Sequence, residues 1–132
     1  MIEIIGVITR NRIELIDITS LASEAVRRNA IQNGICVVYT PHTTAGIIIN
    51  ENADPDVKAD INHFLEKLIP KEKGFTHSEG NSDSHIKAAL FGNSRMVFVE
   101  NGCLALGEWE SIYFAEFDGP RKRKVWIKII EC

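Results

Sequence analysis

Residues 109–130 read Trp109-Glu110-Ser111-Ile112-Tyr113-Phe114-Ala115-Glu116-Phe117-Asp118-Gly119-Pro120-Arg121-Lys122-Arg123-Lys124-Val125-Trp126-Ile127-Lys128-Ile129-Ile130, and they decide the fold class. β-Branched and aromatic residues fill 109–117 and 121–130, with the turn residues Asp118-Gly119-Pro120 between them. In the second run Arg121 and Arg123 share a face with Val125, Ile127 and Ile129, so that face points inward or into a cleft. Lys122, Lys124, Trp126 and Lys128 share the other, more exposed face. Just upstream, 95–100 reads as a strand, followed by a turn at Asn101-Gly102 and a segment through Leu104 and Leu106.

The other end of the chain is β-rich too. Residues 2–9 and 12–18 read as strands, and the short polar link Arg10-Asn11 predicts a hairpin. Helical patterns lie in the middle. From Thr19 or Ser20 to Asn33 the stripe Leu21, Ala22, Ala25, Val26 and Ala30 predicts a helix, with Gly34 as its C-cap. After strands at 35–40 and 45–50, Asp54-Pro55 opens a second helix. Its residues Val57, Ile61, Phe64, Leu65 and Leu68 predict a buried face, and it ends before Pro70. A polar loop, 71–81, leads to a short helix from about Asp83 to Phe91, closed by Gly92. Strands at both ends and helices between them define an α+β class: mostly antiparallel β-sheets with three helices packed on them, in a single domain spanning 1–132.

A net charge of −3 argues against a nucleic-acid grip, which needs a basic surface. No apolar run approaches the ~18–20 residues of a membrane span, and the N-terminus lacks a signal-peptide pattern, so a cytoplasmic protein without a membrane partner is expected. Cys36, Cys103 and Cys132 are odd in number and widely spaced, with no Cys-x-x-Cys, which argues against a disulfide framework. Strands such as Ile47-Ile48-Ile49 are more apolar than one-sided burial requires, so a neighbouring subunit is expected over part of them.

Three histidines stand in unusual settings: His42 in Thr40-Pro41-His42-Thr43-Thr44, and His77 and His85 bracketing Ser78-Glu79-Gly80-Asn81-Ser82-Asp83-Ser84. A strand end, a loop and a helix commonly assemble a metal site, and three imidazoles leave a position open for water or substrate. Glu79 and Asn81 are placed to orient a ring, or Glu79 to act as a general base. The competing reading is three unrelated surface histidines, because no short metal signature is present. His63 illustrates it, on the solvated flank of the second helix. Arg121 and Arg123 suit capture of phosphate or carboxylate, with Thr43 and Thr44 adding hydroxyl donors; a solvated basic strand end is the alternative. Asn101-Gly102-Cys103-Leu104-Ala105-Leu106-Gly107-Glu108-Trp109 reads either as a small pocket walled by Trp109 or as a bulged strand with Trp109 in the core.

Together and in order, several motifs carry a resemblance. Thr40-Pro41-His42-Thr43-Thr44-Ala45-Gly46, Asn50-Glu51-Asn52, His77-x-Glu79-Gly80-Asn81-x-x-x-His85, Leu104-x-Leu106-Gly107-x-Trp109 and Glu116-x-Asp118-Gly119-Pro120-Arg121-x-Arg123 resemble the YjbQ-like family, also called the secondary thiamine-phosphate synthase family. The likeness runs from about residue 36 to the C-terminus. It implies a compact α+β homotrimer with pockets near subunit boundaries. It also implies a histidine-lined site, here His42, His77 and His85, holding a divalent metal ion, zinc in the first instance. The implied activity is a weak transferase reaction on a small phosphorylated substrate, joining hydroxymethylpyrimidine diphosphate to a thiazole phosphate and releasing pyrophosphate. That chemistry would use the metal, Arg121 and Arg123 on the leaving pyrophosphate, and Trp109 or Glu51 beside a cationic intermediate. The family pattern has Gln where Glu110 stands and Thr where Glu108 stands, which weighs against an anionic contact there. Two other functions compete: a metal-assisted hydrolase using Glu79, and a trimeric metal- or small-ligand-binding module without turnover.

Overall fold

The computed structural model describes residues 1–71 and 74–132; Glu72 and Lys73 of the expected 71–81 loop lie outside the described residues. In chain order the elements are β1 (Glu3–Ile8), β2 (Glu14–Asp17), α1 (Thr19–Asn29), β3 (Gly34–Tyr39), β4 (Ala45–Glu51), α2 (Pro55–Leu68), α3 (Ser82–Phe91), β5 (Ser94–Glu100), β6 (Cys103–Leu104), β7 (Glu110–Glu116) and β8 (Lys122–Glu131). They form a five-stranded sheet, β1-β8-β3-β5-β6, and a three-stranded sheet, β2-β7-β4. All pairings are antiparallel. The expected α+β class with three helices is what the chain adopts.

The hydrophobic pattern explains the layering. Val7, Val38, Val97, Val99, Val125 and Ile127 project from one face of the five-stranded sheet. They meet Ile47, Ile112 and Phe114 of the three-stranded sheet, and Ala22, Ala25 and Val26 of α1 close the same core. On the far side of the three-stranded sheet, Ala115 and the following Phe117 pack with Leu65 of α2 and Ala88 of α3. Among the described residues none forms a layer over the outer face of the five-stranded sheet, where Ile4, Met96 and Phe98 are 61%, 61% and 66% exposed. Buried Cys36 lies in the core with its thiol pKa pushed up to about 11, first by burial and then by Glu3, so it stays an unreactive thiol.

Three sequence expectations are corrected. β1 and β2 do not form a hairpin: β1 pairs with β8 and β2 with β7. The Arg10-Asn11 link crosses between sheets, alongside the second crossing at 118–121. Gly119 N donates to Arg12 O (3.0 Å) and Thr9 N to Arg121 O (2.9 Å). A Cβ on Gly119 would lie 2.3 Å from Asn11 O, so only glycine lets the two crossings touch.

Next, α1 stops at Asn29 instead of Asn33. Ala30 takes the left-handed conformation (φ 52) and donates its N–H to Arg27 O, which turns Ile31 back against the core. Gly34 is not a cap but the first residue of β3, where a Cβ would lie 2.1 Å from Ile130 O. Finally, the apolar stripe of α2 is only partly covered. Leu65 is buried, whereas Phe64 is 63% and Leu68 52% exposed.

Candidate active site

β3 delivers the chain to Thr40, whose N–H donates to Asn93 O (2.8 Å) and whose hydroxyl accepts from His42 N (3.4 Å). Pro41 and His42 then turn into β4. The close approach of β4 to α3 depends on Gly46, where a Cβ would lie 2.9 Å from Gly92 O. His85, Ala88, Ala89 and Gly92 fall along one side of α3, at helical spacing. With Tyr39, Thr40, Pro41, His42, Thr43, Ala45 and Asn93 they line a cleft of about 530 Å³. His42 and His85 therefore share one cleft. His77, in the preceding loop, lines a neighbouring cavity with Glu79 instead, and touches only His85: its ring is perpendicular to that of His85, with centroids 5.4 Å apart. Glu79 Oε2 lies 3.8 Å from His77 Nε2, and both side chains face solvent.

His42 is held in a defined chemical form. Its Nε2 accepts the backbone N–H of Lys124 at 2.9 Å. In the neutral ring the proton must then sit on Nδ1, which becomes a donor. Burial lowers the ring's pKa below the ordinary imidazole value. Arg123, Lys124 and Arg121 lower it further, and Glu116 opposes them. The ring is thus a neutral donor near three cations.

Beneath the cleft are two ionic braces. Arg12 grips buried Asp83 with both terminal nitrogens (3.1 and 3.0 Å), and its Nη2 also reaches Ser84 Oγ. Fully buried Lys87 donates to Asp83 (3.2 Å) and to Glu66 of α2 (2.9 Å). Arg12 and Lys87 hold the Asp83 carboxyl below its ordinary pKa although burial alone would raise it. In the second brace, Arg123 donates to both oxygens of fully buried Glu116 and, at 2.8 Å, to Thr44 Oγ1. The Thr9 hydroxyl donates to Glu116 at 2.8 Å.

These contacts revise several expected roles. Arg123 is 5% exposed and, like Thr44, belongs to the brace; it acts on His42 through its field and not as an open anion clamp. Arg121 precedes β8, is exposed and is clamped to Asp118, with Nη2 3.0 Å from Oδ2 and Nε 2.8 Å from the carbonyl. Asn81 is a brace as well. Its Nδ2 donates to Asp118 Oδ2 (2.8 Å), and its backbone carbonyl accepts from Ser84 N (3.0 Å).

Glu51 and Trp109 are not brought to the cleft within one chain. Ala45 pairs with Glu116 at the His42 end, and Glu51 with Glu110 at the other. Six residues of strand separate the ends by about 20 Å. Trp109 stands exposed on that distant ledge, where its carbonyl accepts from Asn52 N (2.9 Å). Glu110 folds back to accept from Gly107 N at 2.8 Å, closing the turn before β7.

Among the described residues no three His, Cys, Asp or Glu side chains are grouped as metal ligands. The donor chemistry agrees, since the lone pair His42 would offer through Nε2 is occupied by Lys124 N–H. As arranged in one chain, the three histidines do not fit a shared ion; His77 and His85 alone make a contacting pair. The braces are what sequence reasoning missed. Asp83 and Lys87 had a legible i,i+4 spacing. Their partner Arg12, 71 residues away from Asp83, had no sequence signal.

Fold and cleft define a small α+β protein with a histidine-walled site between a β-turn and a helix. The chain belongs to the UPF0047 protein YjbQ-like family, whose model matches residues 3–132. It is similar to the UPF0047 protein MJ1081 of Methanocaldococcus jannaschii, 55% identical over 92% of this chain and 88% of that protein. It is also similar to the UPF0047 protein YugU of Bacillus subtilis, 46% identical over 98% of this chain and 99% of that protein. A crystal structure of a YjbQ/UPF0047 protein from Clostridium acetobutylicum superposes with a TM-score of 0.96 at 53% identity, covering 97% of this chain and 99% of that one. Among the described residues no helix is long and apolar enough to cross a membrane.

Proposed function

We propose that this chain is a cytoplasmic, homotrimeric enzyme that binds a small phosphorylated metabolite in the His42–His85 cleft. The observation that carries the reading is the Lys124 N–H···Nε2 bond, which turns His42 Nδ1–H into a neutral donor beside Arg123 and Arg121. A neutral donor stabilises negative charge developing on oxygen without surrendering its proton. The Thr43 hydroxyl, on the same wall, supplies a second donor. His85 faces them from α3 and bounds the opposite side of the cleft.

The reaction this reading assigns, by family resemblance, is thiamine-phosphate synthesis. The carbon–oxygen bond of the pyrimidine diphosphate breaks, a carbon–nitrogen bond to the thiazole forms, and pyrophosphate leaves with the electron pair. The donors at His42 and Thr43 suit that leaving group. A divalent ion, zinc first, is proposed for the His77–His85 pair only, and no step here runs through it. Elemental analysis is expected to find the ion in wild type and to lose it in His85→Ala; metal-free wild type ends that assignment.

Titration with sulfate, which stays dianionic across the working pH range, tests the cleft. Wild type is expected to bind it saturably, His42→Ala to bind at least ~10-fold more weakly, the loss of one charge-assisted hydrogen bond, and Lys122→Ala to match wild type. Equal affinities in wild type and His42→Ala would overturn the reading. Incubation with the two thiazole and pyrimidine substrates, with product read by mass spectrometry, tests the reaction itself. Phosphoester hydrolysis without transfer would favour a hydrolase.

A further inference from the structure

The three-stranded sheet ends in an open edge. β4 pairs with β7 on one side only. Main-chain groups alternate in direction along an antiparallel strand, and Ile47 N donates away from β7, to Gly92 O at 3.1 Å. The main-chain groups of Ile49 and Glu51 therefore point outward as well. Glu51 N is satisfied by Asn50 Oδ1 (2.7 Å), whereas Ile49 N and O have no hydrogen-bond partner among the described residues. Such an edge is a template for an added strand.

This edge lies in a groove of about 520 Å³ beside α2, with Ile48, Ile61, Phe64 and Phe91 as apolar walls. Arg95 stands at one end, where a Cβ on Gly92 would lie 3.2 Å from its Nη1. Its guanidinium donates to Ser94 O (2.7 Å) and to Phe91 O, and among the described residues no carboxylate pairs with it. We propose that the groove binds the C-terminal end of an extended peptide, with main-chain pairing to Ile49 and the terminal carboxylate on Arg95. A small apolar acid would reach Arg95 too, but would leave Ile49 N and O unpaired.

Direction and charge agree with a peptide. Every pairing in the protein is antiparallel, and an antiparallel strand added to β4 runs from Glu51 toward Ile47. Gly92 closes the edge at Ile47, so the added strand stops there, beside Arg95. The residue opposite Ile49 exchanges both main-chain hydrogen bonds with it. The next residue, opposite Ile48, is the last, and its carboxylate meets the guanidinium. Its side chain falls on the Ile48 face, toward Phe64 and Phe91, which favours an apolar terminal residue. At the far end the groove is acidic. Leu65 packs with Ala115, the partner of Gly46, so Asp60, more than a turn earlier on α2, lies toward Asn50. Asp60 and Glu51 make no ion pair among the described residues, which suits a basic residue upstream in the peptide. Ile47 to Glu51 is about 14 Å of strand, the length of four to five residues.

Fluorescence anisotropy tests this with labelled pentapeptides, Lys-Thr-Thr-Val followed by Val, Ile, Leu or Phe, as free acids and as C-terminal amides. At least one free acid is expected to bind saturably, and its amide at least ~10-fold more weakly, the loss of a charge-assisted hydrogen bond. Arg95→Gln should weaken the acid by a similar factor and leave the amide unchanged; a merely structural defect would weaken both. N-methylation of the penultimate amide, which donates to Ile49 O, should weaken binding to wild type, and it carries the test if Arg95→Gln does not fold. His42→Ala should bind the acids as wild type does, because the groove is separate from the cleft. Equal binding of acid and amide, or of N-methylated and parent peptide, overturns the proposal, as does loss of binding in folded His42→Ala. Absence of binding at millimolar concentration overturns it too. Decanoate binding as tightly as the best peptide would assign the groove to a small apolar acid and overturn the peptide.

Discussion

Asp83→Ala is expected to lower unfolding stability by about 3–5 kcal/mol, the usual consequence of removing one partner of a buried ion pair. Asp83 is fully buried and takes both terminal nitrogens of Arg12 as well as Lys87 Nζ. Removing it leaves the fully buried Lys87 ammonium with only Glu66, a residue on the surface of α2. A charge taken out of water without its partner is what makes such losses large. Asp83 also fastens the first turn of α3 to the β1–β2 crossing through Arg12, so the change should loosen the helix that carries His85. Urea unfolding of Asp83→Ala against wild type reads the stability. Lys87→Met, which removes the charge and keeps an apolar stem, is expected to cost less than Asp83→Ala. A loss below about 1 kcal/mol in Asp83→Ala, the range of an exposed pair, would show that water reaches the brace.

What the sequence made legible follows from how local each cause is. β8 could be read from its alternation: Arg123, Val125, Ile127 and Ile129 are buried, with Lys122, Lys124 and Lys128 exposed. Asp54 caps α2 as expected, accepting from Asp56 N at 2.9 Å with Pro55 in the first turn. The β1–β2 connection was not legible, because the choice between pairing with each other and pairing with β8 and β7 is made by strands near the other end of the chain. Burial of Phe64 and Leu68 was misread for a related reason. An apolar stripe records that a face is covered, but not whether its own chain covers it. At the candidate site, residue type singled out His42, Thr43, His77 and His85. The structure alone shows that His42 accepts from Lys124 N and that Arg123 is buried against Glu116. The first depends on β3 and β8 being neighbours; the second joins the end of β7 to β8 across the 118–121 crossing.

The second large effect concerns Glu116 and its dependence on pH. Burial by itself would raise this carboxyl's pKa. Hydrogen bonds from Arg123, Asp118 N and Thr9 outweigh burial and hold it below the ordinary glutamate value. Because the folded pKa is the lower one, the unfolded chain binds more protons in the window between the folded pKa and that ordinary value. The stabilisation is fully present above that value and is lost as pH falls through the folded pKa. Glu116→Gln removes the charge while Arg123, 5% exposed, keeps its own. The expected loss at neutral pH is again about 3–5 kcal/mol, and stability below pH 4.5 should depend on acid less steeply than in wild type. A structural defect elsewhere would not reproduce one further signature. Glu116 is the group that raises the pKa of His42, against Arg123, Lys124 and Arg121. Its neutralisation should shift the His42 titration further down, read from the imidazole resonances of the folded variant. A His42 titration unchanged in folded Glu116→Gln would mean that the brace does not set the charge of the cleft.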